Sequence, residues 1–153
     1  MKTSTIIRII ITILCFTLII CVLIGKNGVH TRMGFSLSFK YIDMITGVDQ
    51  KANPQFVFFL FLLLISTPIC IVMVWIRKRL FAYIAAILSM TIGLYELIRS
   101  VSWYVKKNRN ISEMFSGEFY NNMLIFLPLI IAVFCFCLAW QMSNEKDKLI
   151  ETD

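Results

Sequence analysis

Few residues in this sequence could do chemistry, and one acid stands out among them. Glu96 lies inside a long apolar stretch, and Arg99 follows it by three residues. Side chains at that spacing are neighbours on a helix, so the two are predicted to form an intramembrane ion pair. A charge within hydrocarbon costs about 2.5 kcal/mol or more, so it needs a partner or water. Glu96 therefore has two interpretations. The favoured one is an ion pair near a membrane boundary; the other is a carboxylate lining a cavity for a cation, a proton or a polar ligand.

The other reactive side chains form no catalytic or metal-binding pattern. His30 is the single histidine, and the five cysteines include no CxxC pair. Cys135 and Cys137 are two residues apart, which on a helix places them on nearly opposite sides. The sequence contains no glycine-rich phosphate loop and no evident Ser-His-Asp or Cys-His set. We therefore expect a protein that is not an enzyme and has no cofactor, disulfide or metal site.

The elements that must position these residues are long apolar helices. Of the 153 residues, 59% are hydrophobic and 16% are charged. A bilayer span needs about 20 mostly apolar residues, and four stretches satisfy this requirement. The predicted fold class is an all-α membrane protein, a four-helix transmembrane bundle with a small extracytoplasmic β element. The single domain over residues 1–153 divides into spans at 6–24, 54–76, 80–102 and 120–142, outer loops at 25–53 and 103–119, a cytoplasmic turn at 77–79 and a tail at 143–153.

The basic residues bear on orientation rather than on nucleic-acid binding, because they are scattered among the loops. With the N-terminus inside, seven Lys and Arg residues are cytoplasmic and eight are outside, so the count alone does not decide. The cluster at 77–79 forms the whole linker between spans two and three and favours a cytoplasmic turn, whereas "KKNR" at 106–109 argues the other way. We predict a multi-pass protein of the plasma or inner membrane with both termini in the cytoplasm.

The third span carries a packing signature of small residues. Ala85, Ser89 and Gly93 recur at intervals of four, and such stripes let helix backbones approach closely in lipid. The stripe predicts that this span is central and contacts the most neighbours. The alternative is a seam between two copies of the chain.

A stretch with the period of a β-strand interrupts the helical pattern. In "VHTRMGFSLSFKY", residues 29–41, apolar and polar residues largely alternate. We predict two short strands that fold at Gly34, with Gly25 and Gly28 in turns before them, a short helix or turn over Tyr41–Gly47, and "WYVKK" as a further strand edge. The candidate interaction surface is Phe35, Leu37, Phe39 and Tyr41.

The order of features along the chain resembles a known membrane-protein architecture: a short first helix, a β-forming first loop, a tight turn and "SGEFY" before span four. The chain resembles small uncharacterised prokaryotic four-span membrane proteins whose first loop reads roughly G-x-S-x-S-G-x-D-L. Here that loop reads "GFSLSFKYIDMITG", with Phe39-Lys40 in place of Ser-Gly. The plan is also similar to that of claudin-type tetraspans, although the first loop lacks their tryptophan and paired cysteines. The resemblance implies architecture alone.

Three functional hypotheses follow from these patterns. The preferred one is a non-enzymatic interaction or accessory protein, for example of the immunity type, that binds through its outer β platform or its helix faces. The second is an oligomeric pore or small transporter with Glu96 and Arg99 at its outer mouth. The third is a laterally assembling tetraspan for adhesion or membrane organisation. The expected partners are the lipid bilayer and another membrane protein or a second copy, with no nucleic acid.

Overall fold

Four long helices dominate the structure, a computed structural model that describes residues 3–30, 36–46, 54–108 and 119–150. In chain order the elements are α1 (Thr3–Ile24), β1 (Lys26–His30), β2 (Ser36–Lys40), α2 (Tyr41–Ile45), α3 (Pro54–Trp75), α4 (Arg79–Lys106) and α5 (Phe119–Ile150). Each long helix contains a stretch long and apolar enough to cross a bilayer. The predicted four-helix bundle is confirmed.

The four long helices pack in a ring. α1 packs against α3 and α5, and α4 packs against the same two helices. Each long helix therefore has two principal neighbours, so α4 is no more central than the others, contrary to the expectation from its small-residue stripe. The stripe instead supports one close interface, because the most extensive helix contact joins α4 to α5.

The helices differ from the predicted spans mainly at their ends. α3 begins at Pro54, where proline suits the first helical turn. α4 continues through Lys106, so the first four residues of "WYVKK" are helical and Lys107 caps the helix; this stretch does not supply the expected strand edge. α5 likewise continues beyond 142 to Ile150. The length of an apolar stretch indicates where a helix crosses the membrane. The helix itself can continue beyond that stretch, because its backbone hydrogen bonds form within the helix and do not require apolar side chains.

A small β hairpin joins α1 to α2. β1 and β2 pair antiparallel, with Lys26 opposite Lys40 and His30 opposite Ser36. The predicted bend at Gly34 lies outside the described residues. Gly28 was expected in a turn but lies within β1, opposite Ser38. Ladder pairing uses backbone groups, so the polar stretch "KNG" can form a strand without an alternating pattern.

The hairpin is attached to the bundle at its base. The Tyr41 amide donates to the Gly25 carbonyl over 3.0 Å, which joins the start of α2 to the end of α1. The Tyr41 side chain is fully buried, and Met44 one turn later is also buried. A Cβ on Gly25 would overlap the Cys21 carbonyl oxygen and the Tyr41 ring, so this close approach requires glycine.

Candidate functional site

Glu96 and Arg99 form a bidentate ion pair on α4. Arg99 Nε donates to Glu96 Oε2 over 2.7 Å, and Arg99 Nη2 donates to Glu96 Oε1. The Ser100 hydroxyl also donates to Oε1, over 3.3 Å. Glu96 has no exposed surface, whereas 20% of the Arg99 side chain is accessible. Both carboxylate oxygens are therefore occupied, and the pair reaches the surface only through the arginine.

Aromatic rings connect this ion pair to the base of the hairpin. The Arg99 guanidinium carbon lies 4.7 Å from the centroid of the Phe56 ring on α3, a cation–π distance. Phe56 and Tyr41 in turn form a T-shaped pair with their ring centroids 5.6 Å apart. Phe59 stacks on Phe56 at 6.1 Å and on Tyr95 of α4 at 6.2 Å. The cluster holds α2, α3 and α4 together at one end of the bundle, which we call the hairpin end.

This arrangement suits a structural ion pair better than a ligand site. A cation or proton carrier needs a carboxylate that solvent reaches, but the Glu96 oxygens face packed side chains and three donor contacts. Bidentate arginine–carboxylate contacts have a defined geometry and fix the relative position of both groups. Of the two interpretations of Glu96, the geometry favours an ion pair that fixes the rotation of α4 against α3.

The four residues of the candidate interaction surface fall into different environments. Tyr41, one of these four, is buried in the core beneath the hairpin and so presents no surface to a partner. Its ring fills the space between Gly25 and Phe56, which the period-two pattern could not indicate. Leu37 and Phe39 lie in β2, where they pair with Val29 and Asn27 of β1 respectively. Phe35 lies outside the described residues.

The small residues of α4 lie on its buried face. Ala85, Ser89 and Gly93 are all buried, as are Ala82 and Ala86 beside them. A Cβ on Gly93 would lie 2.7 Å from Leu129 Cδ2 and 3.3 Å from the Leu129 backbone nitrogen of α5. The stripe is therefore occupied within a single chain, which leaves it no surface for a seam between two copies.

At the opposite end of the bundle, residues 76–78 join α3 to α4, and we call this the turn end. Arginine side chains make contacts between helices there. Arg79 Nη1 donates to the Ser143 hydroxyl over 2.9 Å, and Nη2 donates to the Tyr83 hydroxyl over 3.2 Å. Arg8 on α1 is buried, with Nη2 lying 3.7 Å from the Met142 sulfur on α5. Arg8 is one of the seven basic residues that the charge count assigned to the cytoplasmic side, ahead of the first apolar run. Its position between Ile6-Ile7 and Ile9-Ile10 was the signal that could have indicated a buried arginine.

At mid-bundle, three helices contribute buried thiols and the fourth contributes a hydroxyl. Cys70 of α3 lies 3.7 Å from the Ser89 hydroxyl of α4 and beside the thiols of Cys15 and Cys135. A cavity of about 10 Å³ lies here, lined also by Ser66 and Thr67. Ser66 and Thr67 donate to the Leu63 carbonyl of their own helix. A cavity of this size holds about one water molecule, far less than an organic ligand.

Within the described residues, the cysteines form neither a disulfide nor a metal centre. All five cysteines have free thiols, with four buried and Cys137 exposed. No group of three or more His, Cys, Asp and Glu side chains in the described part of the chain is arranged to hold a metal ion. The buried thiols act here as small core residues.

Comparison with known proteins yields no relative: no protein-family model, no curated protein and no solved structure matches this chain. The resemblance to small prokaryotic four-span proteins and to the claudin-type plan therefore stays a prediction.

Proposed function

We propose that this chain is a multi-pass membrane protein that acts as a non-enzymatic interaction or accessory protein. The observation that supports membrane placement is the outer surface of the bundle. Large apolar residues cover it along all four long helices, among them Ile13, Phe58, Ile98 and Val133, each about three-fifths exposed. Helices of a water-soluble bundle present polar residues on that side. Lipid is the solvent that suits this surface.

Cys137 provides a direct test of that placement. It is exposed on the side of α5, well inside the apolar stretch, so its environment is lipid in a membrane protein and water in a soluble one. We expect a charged, membrane-impermeant thiol reagent to leave Cys137 unmodified in proteoliposomes and to modify it after unfolding in sodium dodecyl sulfate. The control is a Lys107→Cys variant, which places a thiol at an exposed helix end. Rapid modification of Cys137 in the folded protein would contradict the membrane placement.

We propose the orientation that places the basic turn between α3 and α4, and both termini, in the cytoplasm. Arg77 and Lys78 are exposed there, and short basic linkers are retained in the cytoplasm. In intact cells, an impermeant reagent should modify Lys107→Cys, and should modify Lys78→Cys only after permeabilisation. The reverse pattern would place the hairpin in the cytoplasm.

The β1–β2 hairpin, which lies outside the helix bundle, supports an interaction role. The interior of the bundle is packed, and its buried acid is already neutralised by Arg99. The hairpin, by contrast, is a two-stranded sheet with two outer edges, held to the bundle through Tyr41. Strand edges carry unpaired backbone groups, and an extended segment of another protein can pair with them. We infer that the hairpin is the platform to which a second membrane protein binds.

Site-specific capture tests this role. A photo-reactive amino acid at Leu37 in β2 should cross-link a partner in stoichiometric yield, whereas the same group at Val133 on the lipid side of α5 should not. The triple variant Phe35→Ser, Leu37→Ser and Phe39→Ser should abolish co-purification of that partner. The matched variant Ser36→Ala and Ser38→Ala, on alternate positions, should retain it. Cross-linking from Val133 alone would move the binding surface to the helix faces, and capture of the chain itself would favour lateral assembly.

A further inference from the structure

The turn between α3 and α4 concentrates positive charge with no acidic partner among the described residues. Arg77 and Lys78 are exposed, and the first turn of α4 contains no acidic residue. The ion pair seen in the described part of the chain, between Glu96 and Arg99, lies at the hairpin end. None of the acidic residues whose side chains the structure describes pairs with these three consecutive cations.

Arg79 differs from its two neighbours because its guanidinium is held in place. It bonds the Ser143 hydroxyl of α5 at 2.9 Å and the Tyr83 hydroxyl of α4 at 3.2 Å. Its central carbon lies 5.3 Å from the centroid of the Tyr83 ring. All of these partners are neutral, so they orient the group without cancelling its charge. A guanidinium has five N–H donors, and these contacts leave donors available for a ligand.

Two tryptophans at the turn end indicate that the Arg79 guanidinium lies at the depth of the lipid headgroups. Trp75 at the end of α3 and Trp140 of α5 are exposed, and the Trp75 indole nitrogen donates to Thr12 over 3.1 Å. Trp140 precedes Ser143 by three residues, so the two share one face of α5. Exposed tryptophans mark the depth of the lipid headgroups in membrane proteins. The guanidinium lies at the same end of the bundle, beside the exposed apolar side chain of Leu80.

We propose that Arg79, together with Arg77 and Lys78, binds the phosphate of an anionic phospholipid. This inference rests on the membrane placement in the proposed function. An oriented guanidinium binds phosphate oxygens in a fork geometry that an ammonium does not reproduce. The flanking cations favour a lipid of net negative charge over a zwitterionic one. The exposed apolar side chains beside the cations give the acyl chains a surface, which a free phosphate ion would not use.

The test is lipid retention by the purified full-length protein. Protein from nanodiscs that contain equal amounts of phosphatidylglycerol and phosphatidylcholine is released and examined by native mass spectrometry. We expect the wild type to retain phosphatidylglycerol selectively. The variant Arg77→Gln and Lys78→Gln should weaken retention about fivefold for each cation removed. The matched variant Lys106→Gln and Lys107→Gln removes two exposed charges at the other end of α4 and should retain the lipid as the wild type does.

A charge-conserving variant separates a site from a diffuse basic surface. Arg79→Lys keeps the net charge but loses the fork that bonds Ser143 and Tyr83 together, so a site predicts at least a fivefold loss of retention. Lys107→Arg, an exchange between the same two residue types at an exposed position at the other end of α4, should change nothing. Equal retention of both lipids, or full retention by Arg79→Lys, would overturn the proposal. Displacement of the lipid by inorganic phosphate at about 10 mM would also overturn the proposal, because it would indicate a site for free anions.

These outcomes are distinguishable from failure of the proposed function. Membrane placement is tested separately by the thiol chemistry of Cys137, and partner binding by cross-linking from Leu37 in β2. A protein that is membrane-embedded and captures its partner, but shows no lipid preference, would refute the lipid site alone.

Discussion

At the scale of single residues, the Glu96–Arg99 pair shows how burial makes two partners unequal. The carboxylate is fully buried, whereas part of the arginine side chain reaches the surface. Removal of the arginine would leave an uncompensated charge in the core. Removal of the acid would leave an arginine that can extend toward water or headgroups, as long basic side chains do near helix ends.

This inequality predicts an order of stability. Arg99→Gln should lower the free energy of unfolding by about 3–5 kcal/mol, because it leaves the Glu96 carboxylate buried and unpaired. Glu96→Gln should cost less, about 1–3 kcal/mol, since the amide can still accept from Ser100. The measurement is unfolding in mixed micelles with increasing sodium dodecyl sulfate, followed by circular dichroism.

The double variant makes the same prediction quantitative. If the two side chains act as a pair, the double exchange to glutamine should cost less than the sum of the single exchanges, by about 0.5–3 kcal/mol. Lys106→Gln, an exposed cation at the end of the same helix, should be nearly neutral. Additive losses would mean that the two charges are stabilised independently by other groups.

At the scale of elements, the close contact between α4 and α5 depends on a glycine, Gly93, which has no side chain. Gly93 brings the α4 backbone against Leu129, and a methyl group there would approach Leu129 Cδ2 to 2.7 Å. In lipid, helices gain little from the hydrophobic effect and associate through close packing. This position therefore sets the distance between the two helices.

Gly93→Ala should destabilise the bundle although alanine favours helix formation. The gain in helix propensity is about 1 kcal/mol at most, whereas overpacking costs about 1–3 kcal/mol. We expect a net loss in the same unfolding assay. Leu129→Val, which shortens the opposing side chain, should recover part of the loss when combined with Gly93→Ala. A Gly93→Ala protein more stable than the wild type would show that Leu129 moves aside at no cost.

The element scale also shows what a single sequence can predict. Apolar length located all four long helices, and the spacing of three placed Glu96 beside Arg99. Both signals are local, because they depend on residues within one helix. Burial of Arg8 depends on contacts that include Met142, 134 positions away. Local patterns contain no information about which distant helix lies opposite.

The hairpin illustrates the same limit within a shorter distance. Alternation indicated the strand at Ser36–Lys40, but β1 begins at Lys26, where the sequence reads as a turn. β1 pairs with β2 through backbone hydrogen bonds, and the types of side chain in β1 do not indicate this pairing. The role of Tyr41 was missed for a related reason, since the ring ends the alternating run but packs beneath the hairpin against Phe56.

At the scale of the whole molecule, the ring of four helices has a filled centre. The mid-bundle cavity of about 10 Å³ is lined by Cys70, Ser89 and apolar neighbours. Conduction of ions needs a continuous wet path or a series of closely spaced polar sites. The polar groups here either bond their own helix, as Thr67 does, or contact one another, as Cys70 and Ser89 do.

We therefore expect no ion flux through the protein. Liposomes that contain it should hold a potassium or proton gradient as long as protein-free liposomes do, with an added ionophore as the positive control. Glu96→Gln should be equally silent, since the wild-type carboxylate offers no oxygen to a passing ion while Arg99 and Ser100 occupy both. A wild-type conductance that Glu96→Gln abolishes would reverse the assignment. The ion pair would then lie at the mouth of a pore, and the hairpin would be a lid over that mouth rather than a binding platform.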